Sequence, residues 1–262
     1  MRKKYLAFIA CFVALPTAHA GITPDEIDQA AAAVQPQVVE WRRWFHQNPE
    51  LSNREFNTSA KIVEILREMG LEPQTGIAHT GVVAVIEGGL PGPLVAIRTD
   101  IDGLPVVEQT GLPFASTARS EYNGQDVGVM HACGHDAHMS MVLGAAKVLN
   151  DMKAELPGSV MLIFQPAEEG PPNGEDGGAS MMLDEGIFED RMPAAVFGIH
   201  VGIGVAGGQF AVKPGPMMAA SDGYKIVVKG KQTHGARPWD GVDPVVVSSQ
   251  VFLFGATPYP TP

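Results

Sequence analysis

Four short apolar, β-branched runs, at residues 82–86, 94–97, 159–164 and 195–199, alternate with segments of helical apolar spacing. That alternation constrains the fold more than any other feature. Strands interleaved with helices bury their sheet faces under those helices, which is α/β layering. One helical segment spans 25–46, with Ile27, Val34, Val38, Val39 and Trp41. A clearer amphipathic one spans 58–69, with Ile62, Ile65, Leu66 and Met69 on one side, and a third spans 139–149. Pro36 removes a helical hydrogen bond inside the first, so a break is expected there. Gly70 is the expected stop of the second. Gly88, Gly89 and Pro91 split the first two strand runs, which predicts that these two lie side by side. The runs at 159–164 and 195–199 read as buried strands, and the Pro/Gly-rich stretch 171–178 reads as a loop near the reacting groups.

Three of the runs end beside ionisable residues. Asp100 and Asp102 follow the second run, Glu168 and Glu169 follow the third, and His200 closes the fourth. Between them lies Met130-His-Ala-Cys-Gly-His-Asp136. Cys133 and His135, two apart in a loop or extended segment, can turn to one cation, and thiolate and imidazole suit zinc and other borderline metals. A lone C-x-H pair is weak, but here His131, Asp136 and His138 surround it. The bland alternative is a polar loop with a buried cysteine. Glu168 and Glu169 point in different directions, so one carboxylate can bind metal while the other accepts a proton from water. The residues alone do not choose between them, and acidic pairs at strand ends often only face solvent. His200 can join the same sheet-edge cleft or be structural. Asp100 and Asp102 can orient a ligating histidine or cap a turn. Further on, Lys231-Gln-Thr-His-Gly-Ala-Arg-Pro238 offers His234 and Arg237 as groups to stabilise oxygen charge, or else a polar hairpin turn.

The formal net charge is -11, and basic residues form no long cluster, which argues against a nucleic-acid partner. Arg2, Lys3 and Lys4 precede a mostly apolar stretch and Ala18-His-Ala20, the pattern of a cleaved secretory signal over residues 1–20. The apolar stretch is short for a membrane span, and no membrane partner is expected. Periplasmic or secreted localisation follows. Cys11 would leave with the signal and Cys133 would remain as a lone thiol, favouring a metal-bound role in an oxidising compartment. Gly88-Gly-Leu-Pro-Gly92 lacks a phosphate-loop lysine and gives nucleotide binding little support.

These motifs together resemble the peptidase M20 family, specifically its amidohydrolase branch of hippurate and N-acyl-amino-acid hydrolases. The resemblance runs from about Val38 to Gln250, through Phe45-His-Gln-Asn-Pro-Glu-Leu-Ser52, His79-Thr-Gly81, residues 98–105, 130–138 and 165–170, and Thr233 to Pro238. It implies a zinc-peptidase-like α/β catalytic domain at 21–215. An inserted αβ satellite (dimerisation) domain would begin in 216–250, with a strand from Tyr224 to Lys229, and an irregular tail would fill 251–262. It implies two divalent metal ions (Zn, Mn, Co or Ni) held by Cys133, His135, Glu169 and His200. Glu168 would be the general base. His234 would hold the substrate carboxylate or oxyanion, often across a homodimer interface, and Asp100, Asp102 and Arg237 would support. The substrate expected is an N-acyl amino acid or a small peptide-like amide. The family pattern also includes a later metal-binding histidine. None follows His234, so a C-terminally truncated chain is expected, with an inactive, partly metal-binding fragment or a broader carboxypeptidase or aminopeptidase as alternatives.

Overall fold

The computed structural model describes residues 21–218 and 225–255. The expected signal at 1–20 and residues 219–224 of the expected satellite segment lie outside the described residues. The elements in order are α1 (Pro24–Gln47), α2 (Phe56–Glu68), β1 (Gln74–Ile77), β2 (Gly81–Glu87), β3 (Leu90–Asp100), β4 (Arg119–Tyr122), β5 (Gln125–Gly128), α3 (His135–Asp151), β6 (Pro157–Gln165), α4 (Gly178–Asp184), β7 (Val196–Gly198) and α5 (Pro244–Gly255). Two compact units meet at Gly204 and Val205, eleven residues or so before the boundary expected at 215.

The first unit carries a five-stranded sheet in the order β1-β2-β6-β3-β7, plus the β4–β5 hairpin. The strand β6 occupies the centre and reads as a continuous apolar run because both of its faces are covered. Val160, Leu162 and Phe164 join α1, α2 and α3 in one core. Met161 and Ile163 join Ala96, Val83 and Met182 on the other side. Period-two alternation sends neighbours to opposite faces, so one strand serves both cores.

Several expectations change here. The strands β2 and β3 are not adjacent, because β6 lies between them, antiparallel to β2 and parallel to β3. The link crosses the start of β6 rather than closing a hairpin. Gly88 N–H donates to the Gly158 carbonyl at 2.9 Å, and a Cβ on Gly88 would lie 2.1 Å from that oxygen. Only glycine allows that crossing. Helix α1 runs unbroken through Pro36. Pro36 is exposed, so the carbonyl deprived of its amide faces water, while Trp41 and Phe45 pin the helix to the core. An interior proline costs about 3 kcal/mol, and apolar burial of this helix face offsets it. The strand β7 is exposed along its length rather than buried, since it is the edge strand beyond β3. Helix α2 ends as expected: Leu71 N–H returns to the Leu66 carbonyl at 3.0 Å and Gly70 N–H to Arg67 at 2.9 Å.

In the second unit, residues 225–229 have no regular structure where the strand from Tyr224 to Lys229 is expected, and Tyr224 lies outside the described residues. Among the described residues the nearest pairing is a single bridge between Lys231 and Val242, and an isolated strand without a ladder is not stable. The tail is helical as far as Gly255, not irregular from 251. Residues 256–262 lie outside the described residues.

Candidate metal centre

The strands β3, β6 and β7 run parallel, so their carboxyl ends share one edge of the sheet. Asp100 ends β3 in register with Gln165 at the end of β6. The β3–β7 pairing has Arg98 opposite Gly198, and carrying it two residues on sets His200 level with Asp100. Ligand sites in α/β sheets gather at this edge. Helix α3 starts there too, at His135 and not at Met139. Cys133 therefore sits in the loop and His135 in the first helical turn. Gly134 joins them at φ +93°, and a Cβ there would lie 2.4 Å from Val201 Cγ2. This left-handed step needs glycine, and it folds Cys133 back towards the helix start.

Six of the expected residues converge. Cys133, His135 and His200 form one potential ligand set, His135, Glu168 and Glu169 another, and Asp100, His135 and His138 a third; the donor atoms within each set lie within 4.8 Å of one another. Cys133 Sγ is 3.5 Å from His200 Nε2. His135 Nε2 is 3.7 Å from an oxygen of each of Asp100, Glu168 and Glu169. Two ligand atoms on one tetrahedral cation stand roughly 3.3–3.8 Å apart, so the 3.7 Å nitrogen–oxygen separations match ligation better than hydrogen bonding, and the sulfur–nitrogen separation is compatible with both.

The tautomers support the same reading. His135 Nδ1 lies 2.8 Å from the Asp102 backbone carbonyl and donates to it, so Nε2 is the nitrogen that faces the cluster. That Nε2 is buried and has no hydrogen-bond partner. His200 Nδ1 likewise donates to the Val201 carbonyl at 2.7 Å, freeing Nε2 towards Cys133. An orphaned buried imidazole nitrogen ringed by sulfur and carboxylate donors fits a divalent cation. The set is also strongly acidic. Burial opposes a charge on His135, but the bond to Asp102 and the carboxylates of Asp100, Asp102 and Glu169 outweigh it and raise its pKa to about 9. Burial, then Glu169 by charge and hydrogen bond, then Glu168 and Asp100, pushes the Cys133 thiol up to about 12. Glu169 thus stands against Cys133. Burial raises Glu168 as well, partly countered by His135 and Arg98 and reinforced by Asp100 and Glu169.

Behind the donors lies a buried supporting layer. Asp102 Oδ2 accepts from Ser52 Oγ at 2.7 Å and from Glu169 N–H at 3.0 Å. Asp100 accepts from Arg98 at 2.9 Å and from His138 Nδ1 at 2.7 Å. Despite its burial, Asp100 is held at about 2 by His138, His135 and Arg98. His138 was not singled out as a site residue; its Nε2 accepts from Val201 N–H at 2.9 Å, so both ring nitrogens are engaged and it ties β3 to the His200 segment. Its position three residues after His135 on one helix face was the available signal. His46, which lies in the Phe45–Ser52 motif, bridges Asp136 at 2.8 Å and Glu108 at 3.1 Å, and no local spacing points to those partners.

His234 and Arg237 lie in the second unit. Both are exposed; His234 Nδ1 accepts from Ala236 N–H at 3.1 Å, and Thr233 Oγ1 donates to the Arg237 carbonyl at 3.0 Å.

Fold and site together define an α/β protein with a metal-binding core. The chain belongs to peptidase family M20/M25/M40, whose sequence profile matches residues 96–256. It is 42% identical over 227 residues to thermostable carboxypeptidase 1 of Saccharolobus solfataricus, covering 86% of this chain and 54% of that protein. It is 40% identical over 222 residues to the N-acetyl-L-cysteine deacetylase of Bacillus subtilis, covering 85% and 50%. The chain thus spans about half the length of the curated relatives it matches. Among solved structures, the Bacillus subtilis YXEP protein, a dinuclear metal binding peptidase from the M20 family, aligns with TM-score 0.56 at 42% identity, covering 64% of this chain and 44% of that one. A protein from methicillin resistant Staphylococcus aureus aligns with TM-score 0.73 at 33% identity, covering 91% and 62%. Among the described residues, no helix is long and apolar enough to cross a membrane.

Proposed function

We propose that this chain carries the metal centre and general base of an amidohydrolase acting on N-acyl amino acids or small peptide-like amides. The observation that carries the reading is the orphaned Nε2 of His135, facing Glu168 and Glu169 from one side while Cys133 and His200 pair beside it. Cys133, His135, Glu169 and His200 are the proposed ligands of two divalent ions, of Zn, Mn, Co or Ni type. Bound cations supply Lewis acidity towards an amide carbonyl and make nearby water more acidic.

The rest falls to the protein's own side chains. Glu168, whose pKa is raised by burial, accepts a proton from the attacking water and returns it to the departing amine. Asp102 fixes the His135 tautomer through its carbonyl and the Glu169 backbone through its carboxylate. His234, with Arg237 near it in sequence, is proposed to bind the substrate carboxylate or the developing oxyanion. Support for an N-acyl substrate comes from the similarity to an N-acetyl-L-cysteine deacetylase. The carboxypeptidase similarity favours a second reading, removal of a C-terminal residue from a peptide. Comparing kcat/KM for N-acetyl amino acids and for dipeptides separates the two. We further propose a periplasmic or secreted location, supported by the pattern of residues 1–20; mass spectrometry of the exported product, finding or not finding a start at Gly21, tests it.

The decisive variant is Glu168→Gln. With cation content unchanged, it lowers turnover about 10²–10⁴-fold. Wild-type turnover in this variant removes the general-base role, and cation binding without any turnover in the parent chain leaves only a binding protein.

A further inference from the structure

Glu55 is fully buried and takes no part in the chemistry above. It stands at the N-cap of α2, where a side chain ordinarily accepts the first helical amides. Here Glu50 does that instead, accepting from Asn57 N–H at 3.2 Å and Thr58 N–H at 2.8 Å. Glu55 is thereby free to turn into the protein. One oxygen accepts from Thr80 Oγ1 at 2.7 Å, and the other accepts from the Ala167 N–H at 2.9 Å.

Ala167 immediately precedes Glu168. Its φ is +49°, a left-handed conformation that alanine rarely adopts and that persists only where surrounding groups fix it. The Gly170 N–H returns to the Ala167 carbonyl, so Glu168 and Glu169 are the two central residues of a tight turn. Asp102 grips that turn by the Glu169 N–H at 3.0 Å. The turn is therefore held by buried carboxylates on both sides of Glu168, one at the preceding amide and one at the following amide.

We propose that Glu55 is a positioning residue, whose grip on the Ala167 amide sets the direction in which Glu168 leaves the backbone. The inference rests on the reading of Glu168 as the general base. A base displaced by about 1 Å loses on the order of 10²-fold in rate. Glu169 keeps its own hold through the Asp102 contact to its amide, so cation ligation changes little.

The test compares Glu55→Gln with Glu55→Asp in the full chain loaded with Zn²⁺, with N-benzoylglycine as substrate. Glutamine keeps an acceptor oxygen at the same reach, and Thr80 can turn its hydroxyl to accept from the new amide. Aspartate is one methylene shorter and withdraws from Ala167. The expected result is wild-type kcat for Glu55→Gln and a fall of about 10- to 100-fold for Glu55→Asp, with KM changed less than about threefold and cation content constant. Hydrogen exchange of the Ala167 amide is expected to speed up in Glu55→Asp alone. Equal exchange in the two variants overturns the proposal whatever the turnover, and faster exchange with unchanged kcat overturns the positioning role. Glu168→Gln, assayed alongside, isolates the parent reading: if it keeps full turnover, that reading fails, while the exchange comparison still decides whether Glu55 holds the turn.

Discussion

The sheet edge in the first unit and the His234 segment in the second carry similar residue types in very different settings. At the sheet edge, His135 and Asp102 are buried, and each bonded atom has a further atom fixing it: Ser52 behind Asp102, and Asp102 behind both His135 and Glu169. In the second unit His234 is exposed and its hydrogen bond reaches only two residues along the chain. Chemically capable side chains therefore form a precise site only where a buried layer holds them. The first region has such a layer within its own unit.

The largest effect expected from this contrast follows Asp102→Ala. It strips the Ser52 hydroxyl and the Glu169 amide of their acceptor, and Zn²⁺ affinity measured by titration calorimetry should fall about 10- to 100-fold. Unchanged affinity would show that the buried layer is not what distinguishes the sheet edge.

A second effect, on folding stability rather than on the metal centre, sharpens the contrast through pH. Burial pushes Glu55 up to about 7, against the bonds from Thr80 and Ala167, and Asp102 adds to the rise. The unfolded chain releases this proton near 4.5. Between pH 4.5 and about 7 the folded state holds a proton that the unfolded state has lost, so stability falls as pH rises through that window. The full loss is on the order of 3 kcal/mol. Denaturant titrations across the window should show the slope in the parent chain and a flatter profile in Glu55→Gln.

The smallest effect on the metal centre belongs to His234→Ala. Unfolding free energy should move by less than about 0.5 kcal/mol, and cation content should stay constant. Loss of a bond to a charged substrate group should lower kcat/KM by about tenfold or more. Release of the cation in this variant would break the separation between the two regions.

Legibility in the sequence followed the same division. The helix at 58–69 was readable because Ile62, Ile65 and Leu66 repeat at helical spacing and Gly70 ends it. The ligand types were readable because Cys133 and His135 stand two apart among other donors. The β4–β5 hairpin also leaves a mark, Asn123-Gly124, whose positive φ angles of 51° and 78° are those of a two-residue turn. Glu55 was not readable. An acidic residue before a helix looks like a cap, and nothing local shows that Glu50 has taken the capping role. The interposition of β6 between β2 and β3 was likewise hidden, since a Gly-Gly link reads as a hairpin until a distant strand is known to fill the gap.

The sequence by itself determined the layer class, the two-faced apolar run of β6 and the set of donor atoms, because periodicity and residue chemistry are local properties. Only the tertiary structure decided which donors meet, which nitrogen of His135 is left bare, and which carboxylates grip the Glu168 turn. Those depend on strand order and on the level at which parallel strands end, and both are fixed by contacts between residues far apart in the chain.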